Sequence, residues 1–170
     1  MRLYSSPHNR KLNIELRLAP QAQPENLYVR TRFFLDGHLI GDRDHAEPAI
    51  PLAASFRRIA ENRTQRGANK FATSDPVQLY DELYTLLFVD DGAPDQIIGA
   101  RWARYSPHLA LPRGMEAFDD WIAFLVETES EEILVARRLS DPSDFAWSNL
   151  DLGEYESLLV EAAEALEPSN

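Results

Sequence analysis

The sequence predicts an α+β domain: an antiparallel sheet of about five to six strands, in the order βββ-αα-β-ββ-α, with three helices packed on it. Three observations predict it. Two early segments alternate apolar and polar residues with period two, and two proline-marked segments in the middle recur at helical spacing. The last third opens with two apolar runs around an acidic turn and closes on an amphipathic stripe. One domain spanning residues 1–170 is the simplest division, with residues 1–10 and 168–170 as flexible ends.

Residues 11–18 place Leu12, Ile14, Leu16 and Leu18 on one face and Asn13, Glu15 and Arg17 on the other, the pattern of a half-buried strand. Pro20 and Pro24 mark residues 19–26 as a loop. Residues 27–35 alternate again, with Leu27, Val29, Thr31, Phe33 and Leu35 together. Asp36-Gly37 then supplies two residues that tolerate positive φ, as a type I′ hairpin turn requires, and residues 38–41 make a short third strand.

Pro51 suits a first helical turn, and Leu52, Phe56, Ile59 and Ala60 follow on one face. After a polar break at residues 65–70, Asp75-Pro76-Val77-Gln78 reads as N-cap, first-turn proline and capping-box glutamine. Apolar residues from Val77 to Phe88 cover more than half the circumference of the helix behind that cap, so it is expected to be the buried one. Residues 90–99 are expected to be an acidic loop, 101–105 a strand and 107–114 irregular.

Residues 121–126 and 133–139 form a second hairpin around Thr128-Glu129-Ser130-Glu131, and residues 141–150 a loop or edge segment. Asp151 with Glu154 makes another capping box. Behind it Tyr155, Leu158, Leu159, Ala162 and Leu166 form a narrow stripe backed by glutamates, a surface helix docked by one face.

Charge is the most informative feature beyond the fold. Residues 116–170 carry fifteen acidic residues against two basic ones, Arg137 and Arg138, whereas residues 1–115 carry thirteen against fifteen. A net charge of −11 argues against nucleic acid and anionic membranes as partners and favours a cationic protein. The arginines of the first helix, with Lys70, suit a solvated face or a contact to the chain's own acidic region. The absence of cysteine excludes disulfides and thiolate chemistry, and no apolar run is long enough to cross a bilayer. A cytoplasmic protein is expected.

No motif carries catalysis. The four histidines are scattered, without the spacing of a metal-binding helix. Asp42-Arg43-Asp44-His45 and the group Asp90, Asp91 and Asp95 offer too few converging oxygens for a hard cation, so both are expected to be polar loops. No nucleophile elbow or phosphate-cradling glycine loop is present. A binding protein without cofactor or metal is the expectation, and not an enzyme.

Two segments resemble a known group. Phe33-Phe34-Leu35-Asp36-Gly37-His38-Leu39-Ile40-Gly41-Asp42 is similar to the hairpin of bacterial immunity proteins from polymorphic toxin and contact-dependent inhibition systems, with Asp36 where asparagine is usual. The stretch Ala117-Phe118-Asp119-Asp120-Trp121-Ile122-Ala123-Phe124-Leu125-Val126-Glu127 resembles a second segment of the same family, the one numbered forty-two. The resemblance covers about residues 11–166. It implies a small cytosolic protein that binds one cognate toxin domain and blocks it, with no catalytic residue.

Joined to the charge asymmetry, it implies an acidic surface that covers a basic toxin domain such as a nuclease. Candidate contacts are Asp119, Asp120, Glu127, Glu129, Glu131 and Glu132, with Trp121 and Trp147 as aromatic anchors. A chaperone or adaptor for a secreted effector would share that surface, and monomer and dimer are both compatible with it.

Overall fold

The computed structural model describes residues 2–5, 11–19, 27–42, 44–66, 71 and 74–167. Most of the 19–26 loop, residues 67–70 with Lys70, Arg43 and the 168–170 end lie outside the described residues. The α+β class stands. The strands form two antiparallel sheets, however, not one, and a further helix is present.

The first sheet runs β1 (Arg2–Ser5), β2 (Leu12–Leu18), β3 (Tyr28–Leu35) and β4 (His38–Ile40), with the two-residue β5 (Glu47–Pro48) also paired to β3. Arg2–Ser5 belongs to the stretch expected to be a flexible end, and it pairs along β2. In the β2–β3 register Leu12 faces Leu35, Ile14 faces Phe33 and Leu16 faces Thr31, so the two apolar faces coincide. Asp36 (φ +52°) and Gly37 (φ +81°) both take positive φ, as the turn requires.

Helix α1 (Ala49–Glu61) buries Leu52, Phe56 and Ile59 against α5 (Glu154–Leu166), which buries the expected stripe of Tyr155, Leu158, Leu159, Ala162 and Leu166. A single turn, α2 (Arg63–Arg66), follows α1. Three of the four arginines here meet the acidic region, Arg58 being the exception among the described residues: Arg57 pairs with Glu167, Arg63 with Glu127, and the buried Arg66 with Glu156.

The second sheet holds β6 (Trp121–Glu127), β7 (Glu132–Arg138) and β8 (Phe145–Leu150) in that order. One face, with Ala123, Leu125, Leu134 and Ala136, joins the core shared with α1, α5 and the first sheet. The other, with Phe124, Val126, Ile133 and Val135, packs on Leu79, Tyr80 and Leu83 of α3 (Pro76–Phe88). Burial on both faces explains why β6 and β7 are unbroken apolar runs. The 141–150 segment resolves into a turn and a true edge strand.

Asp75 caps α3, its carboxylate accepting the Gln78 amide at 2.9 Å. The expectation of a buried helix is corrected, because only one face meets the sheet and Val77 stays 45% exposed. A second correction concerns residues 90–105. Residues 90–94 are a loop, but from Asp95 on the expected loop and strand are replaced by α4 (Asp95–Tyr105), a helix none of whose residues is buried. With no buried face there is no apolar stripe for the sequence to display. Among the described residues, no helix is long and apolar enough to cross a membrane.

Candidate functional site

Gly41 organises the site. Its φ of +99° suits glycine, and an added Cβ would sit 3.0 Å from both the Ala117 carbonyl oxygen and the Phe118 ring. The missing side chain lets the end of β4 close on the short turn Glu116–Phe118. There the Asp42 amide donates to the Ala117 carbonyl at 2.7 Å, and the Ala117 amide donates to buried Glu47 at 2.9 Å. Phe118 sets its ring edge-on to Phe33 at 5.4 Å.

This docking brings two distant stretches of chain to one groove of about 520 Å³. Asp42, Asp44, Glu116, Asp120 and Asp144 line it, with Arg138 as its one arginine among the described residues. Trp121, only 8% exposed, forms part of the wall and stands edge-on to His38 at 5.9 Å.

The carboxylates are positioned by specific partners. Asp120 accepts the Ser140 hydroxyl at 2.6 Å, the Ser140 amide at 2.9 Å and Arg138 Nε at 2.6 Å. Those bonds, led by the Ser140 hydroxyl and Arg138, hold its carboxyl below the usual range. Asp42 is lowered chiefly by the Asp44 amide, which donates to it at 2.8 Å. His38 Nε2 lies 2.6 Å from Asp144, and His45 sits between Asp42 at 2.9 Å and Glu116 at 3.6 Å. Asp42 and Asp120 are therefore held in place and ionised at neutral pH. Among the described residues no cluster of three or more acids and histidines is arranged to hold a metal ion.

The eight residues singled out from sequence do not form one patch. Asp120 and Trp121 line the groove, and Asp119 lies exposed in the adjoining hollow. Glu127, Glu129 and Glu131 stand at the far end of the β6–β7 hairpin, roughly 20 Å away at the rise of a strand. Glu127 is tied there to Arg63 at 3.3 Å.

Glu132 leaves the surface altogether. It is 0% exposed, and its carboxylate accepts the Gly153 amide at 2.9 Å and the Tyr155 amide at 3.4 Å, capping α5. Burial pushes its carboxyl pKa upward against those bonds. Glu131 and Glu132 part company because Glu131 closes the turn, its carbonyl accepting the Thr128 amide at 2.8 Å, whereas Glu132 opens β7 with its side chain turned inward. Trp147 is 47% exposed on β8, on the α3 side of the sheet but uncovered by that helix.

Sequence reasoning missed Asp42, Asp44, Glu116, Asp144, His38 and Arg138 as members of the site. A signal existed for some of them: the first family-like segment ends on Asp42 and the second begins at Ala117, one residue beyond Glu116.

The family is shown by a match over nearly the whole chain. The family model described as Immunity protein 42 matches residues 8–165. The chain belongs to that family. It is an immunity protein, one that binds and neutralises a cognate toxin. Its fold is similar to the crystal structure of CdiI from Burkholderia dolosa AUO158, with a TM-score of 0.68, 17% sequence identity, and coverage of 96% of this chain and 99% of that one. No curated protein matches the chain. For this immunity protein, the family-like segments supply Asp42, Asp120 and Trp121 to the acidic groove, while Asp44, Glu116, Arg138 and Asp144 come from outside them.

Proposed function

We propose that this immunity protein neutralises a basic toxin domain, such as a nuclease, by covering its cationic surface with the acidic groove, in the cytoplasm and without turnover of its own. One observation carries the reading. The two segments that resemble the family dock on each other through Gly41, and their junction holds Asp42, Asp44, Glu116, Asp120 and Asp144 around Trp121. Carboxylates held by hydrogen bonds mimic a polyanion without first having to be ordered. Nucleases and their immunity partners include some of the tightest complexes known.

Charge steers the encounter, and Trp121 with the groove wall extends the lifetime of the complex. Asp119 at the groove's border adds a contact. Glu127, Glu129, Glu131 and Trp147 contribute at longer range, through field and edge rather than through the groove. The test is the Asp42→Lys/Glu116→Lys variant, whose substituted side chains are exposed. Association with the toxin domain should slow by roughly tenfold or more at low salt, and protection in co-expression should weaken. Unchanged association and protection would remove the groove from the interface.

A further inference from the structure

Beyond the acidic groove, the surface continues into a region of opposite character. A hollow between α1 and α4 is lined by Arg58, Arg113 and Trp102, with no carboxylate among its lining residues. Leu109, Leu111, Arg113 and Gly114 also line a middle hollow, and Trp121 belongs both to that hollow and to the acidic groove. The three hollows adjoin in turn through these shared residues, and this row, the trough, is cationic at one end, mixed in the middle, where Leu109, Leu111 and Ile122 stand with Arg113 and Asp119, and anionic at the other.

The arginines at the cationic end are unusual for this chain. Arg57, Arg63, Arg101, Arg137 and Arg138 each meet a carboxylate. Arg58 and Arg113 make no ion pair among the described residues, although acids outnumber bases 28 to 17. Arg113 instead lies 5.0 Å over the Trp102 ring and 5.7 Å over Phe88. These cation–π contacts hold the guanidinium beside the rings, and a guanidinium is the side chain suited to bidentate binding of a carboxylate. Trp102 remains 38% exposed on a helix that buries nothing, so this end is left for a partner to cover.

We infer that one extended segment of the toxin domain lies along the whole trough. An acidic side chain or carboxyl terminus would sit on Arg58 and Arg113, apolar side chains on Leu111 and Trp121, and basic side chains on Asp42 and Asp144. This rests on the proposed acidic-groove contact and adds polarity to it: the occupant has a direction, and reversing its charges abolishes the fit.

The test uses the full-length chain and its cognate toxin domain. Affinity is measured by calorimetry for Arg58→Glu, Arg58→Glu/Arg113→Glu and Asp42→Lys/Glu116→Lys, with thermal unfolding of each variant as the check on folding. Arg58 has no ring or ion-pair contact to lose among the described residues, so its single variant reports on the surface even if the double variant disturbs α4. Each end should weaken binding at least tenfold, and hydrogen exchange in the complex should slow over 102–114 together with 38–44. Loss at the acidic end alone overturns the trough while leaving the acidic-groove reading intact. Loss at the arginine end alone, or at neither, overturns both.

Discussion

At Gly41 an added Cβ would meet a carbonyl oxygen and an aromatic ring at 3.0 Å, on a backbone already at φ +99°. Neither neighbour is the loose end of a flexible chain, so Gly41→Ala should destabilise the fold by about 1–3 kcal/mol. It should also separate Asp42 from Ala117 and so weaken toxin binding beyond the loss of stability, which denaturant unfolding and affinity measurements together would reveal. His108 makes a different residue-scale case. It is fully buried, and its Nδ1 lies 2.8 Å from the Leu125 carbonyl. Burial, the dominant cause, depresses its pKa from 6.5 to about 4. The unfolded chain therefore binds a proton at this site that the folded one refuses between those values. Stability is full above pH 6.5 and falls as pH drops toward 4, by on the order of 3 kcal/mol. Unfolding midpoints from pH 7 to 4 check this, and His108→Gln should flatten that part of the profile.

Among the elements, those with a buried side were legible and those without one were not. Strands β2 and β3 carry period two because one face meets the core, and α5 carries a stripe because one face meets α1. Helix α4 packs no residue fully, so Asp95–Tyr105 carries no stripe, and its first half reads as part of the acidic loop and its second half as a short strand. Asp120 and Trp121 were legible within the second family-like segment, whereas Asp42 and His38 were passed over within the first. Arg138 reaches the groove through the β6–β7 pairing and Asp144 through the turn between β7 and β8, which spacing along the chain does not encode. The exposure of α4 also yields a prediction. Gly99 sits inside the helix at ordinary φ, and an added Cβ would meet nothing within 4 Å. Gly99→Ala should stabilise the protein by roughly 0.5–1 kcal/mol, mainly by restricting the unfolded chain, with the Tm rising accordingly.

For the molecule as a whole, two cores divide the labour. The larger, between the first sheet, α1, α5 and one face of the second sheet, holds the Gly41 junction in place. The smaller, under α3, supports the α3–α4 pair that carries Trp102 toward the cationic end of the trough. Over this frame the chain carries a net −11, and the imbalance lies in residues 116–170, with fifteen acids against two bases. The same charges must act in opposite directions on folding and on binding. In the free protein they repel one another, and salt, with a Debye length of about 8 Å at 0.15 M, relieves that repulsion. Toward a basic toxin domain they attract, and salt weakens the steering that brings the two together. Raising ionic strength should therefore increase the Tm of the free chain while lowering its association rate with the toxin domain. Scanning calorimetry and stopped-flow mixing over one salt series read both signs. An association rate that holds steady while the Tm rises would mean that the acidic surface shapes solubility and stability but does not guide the partner in.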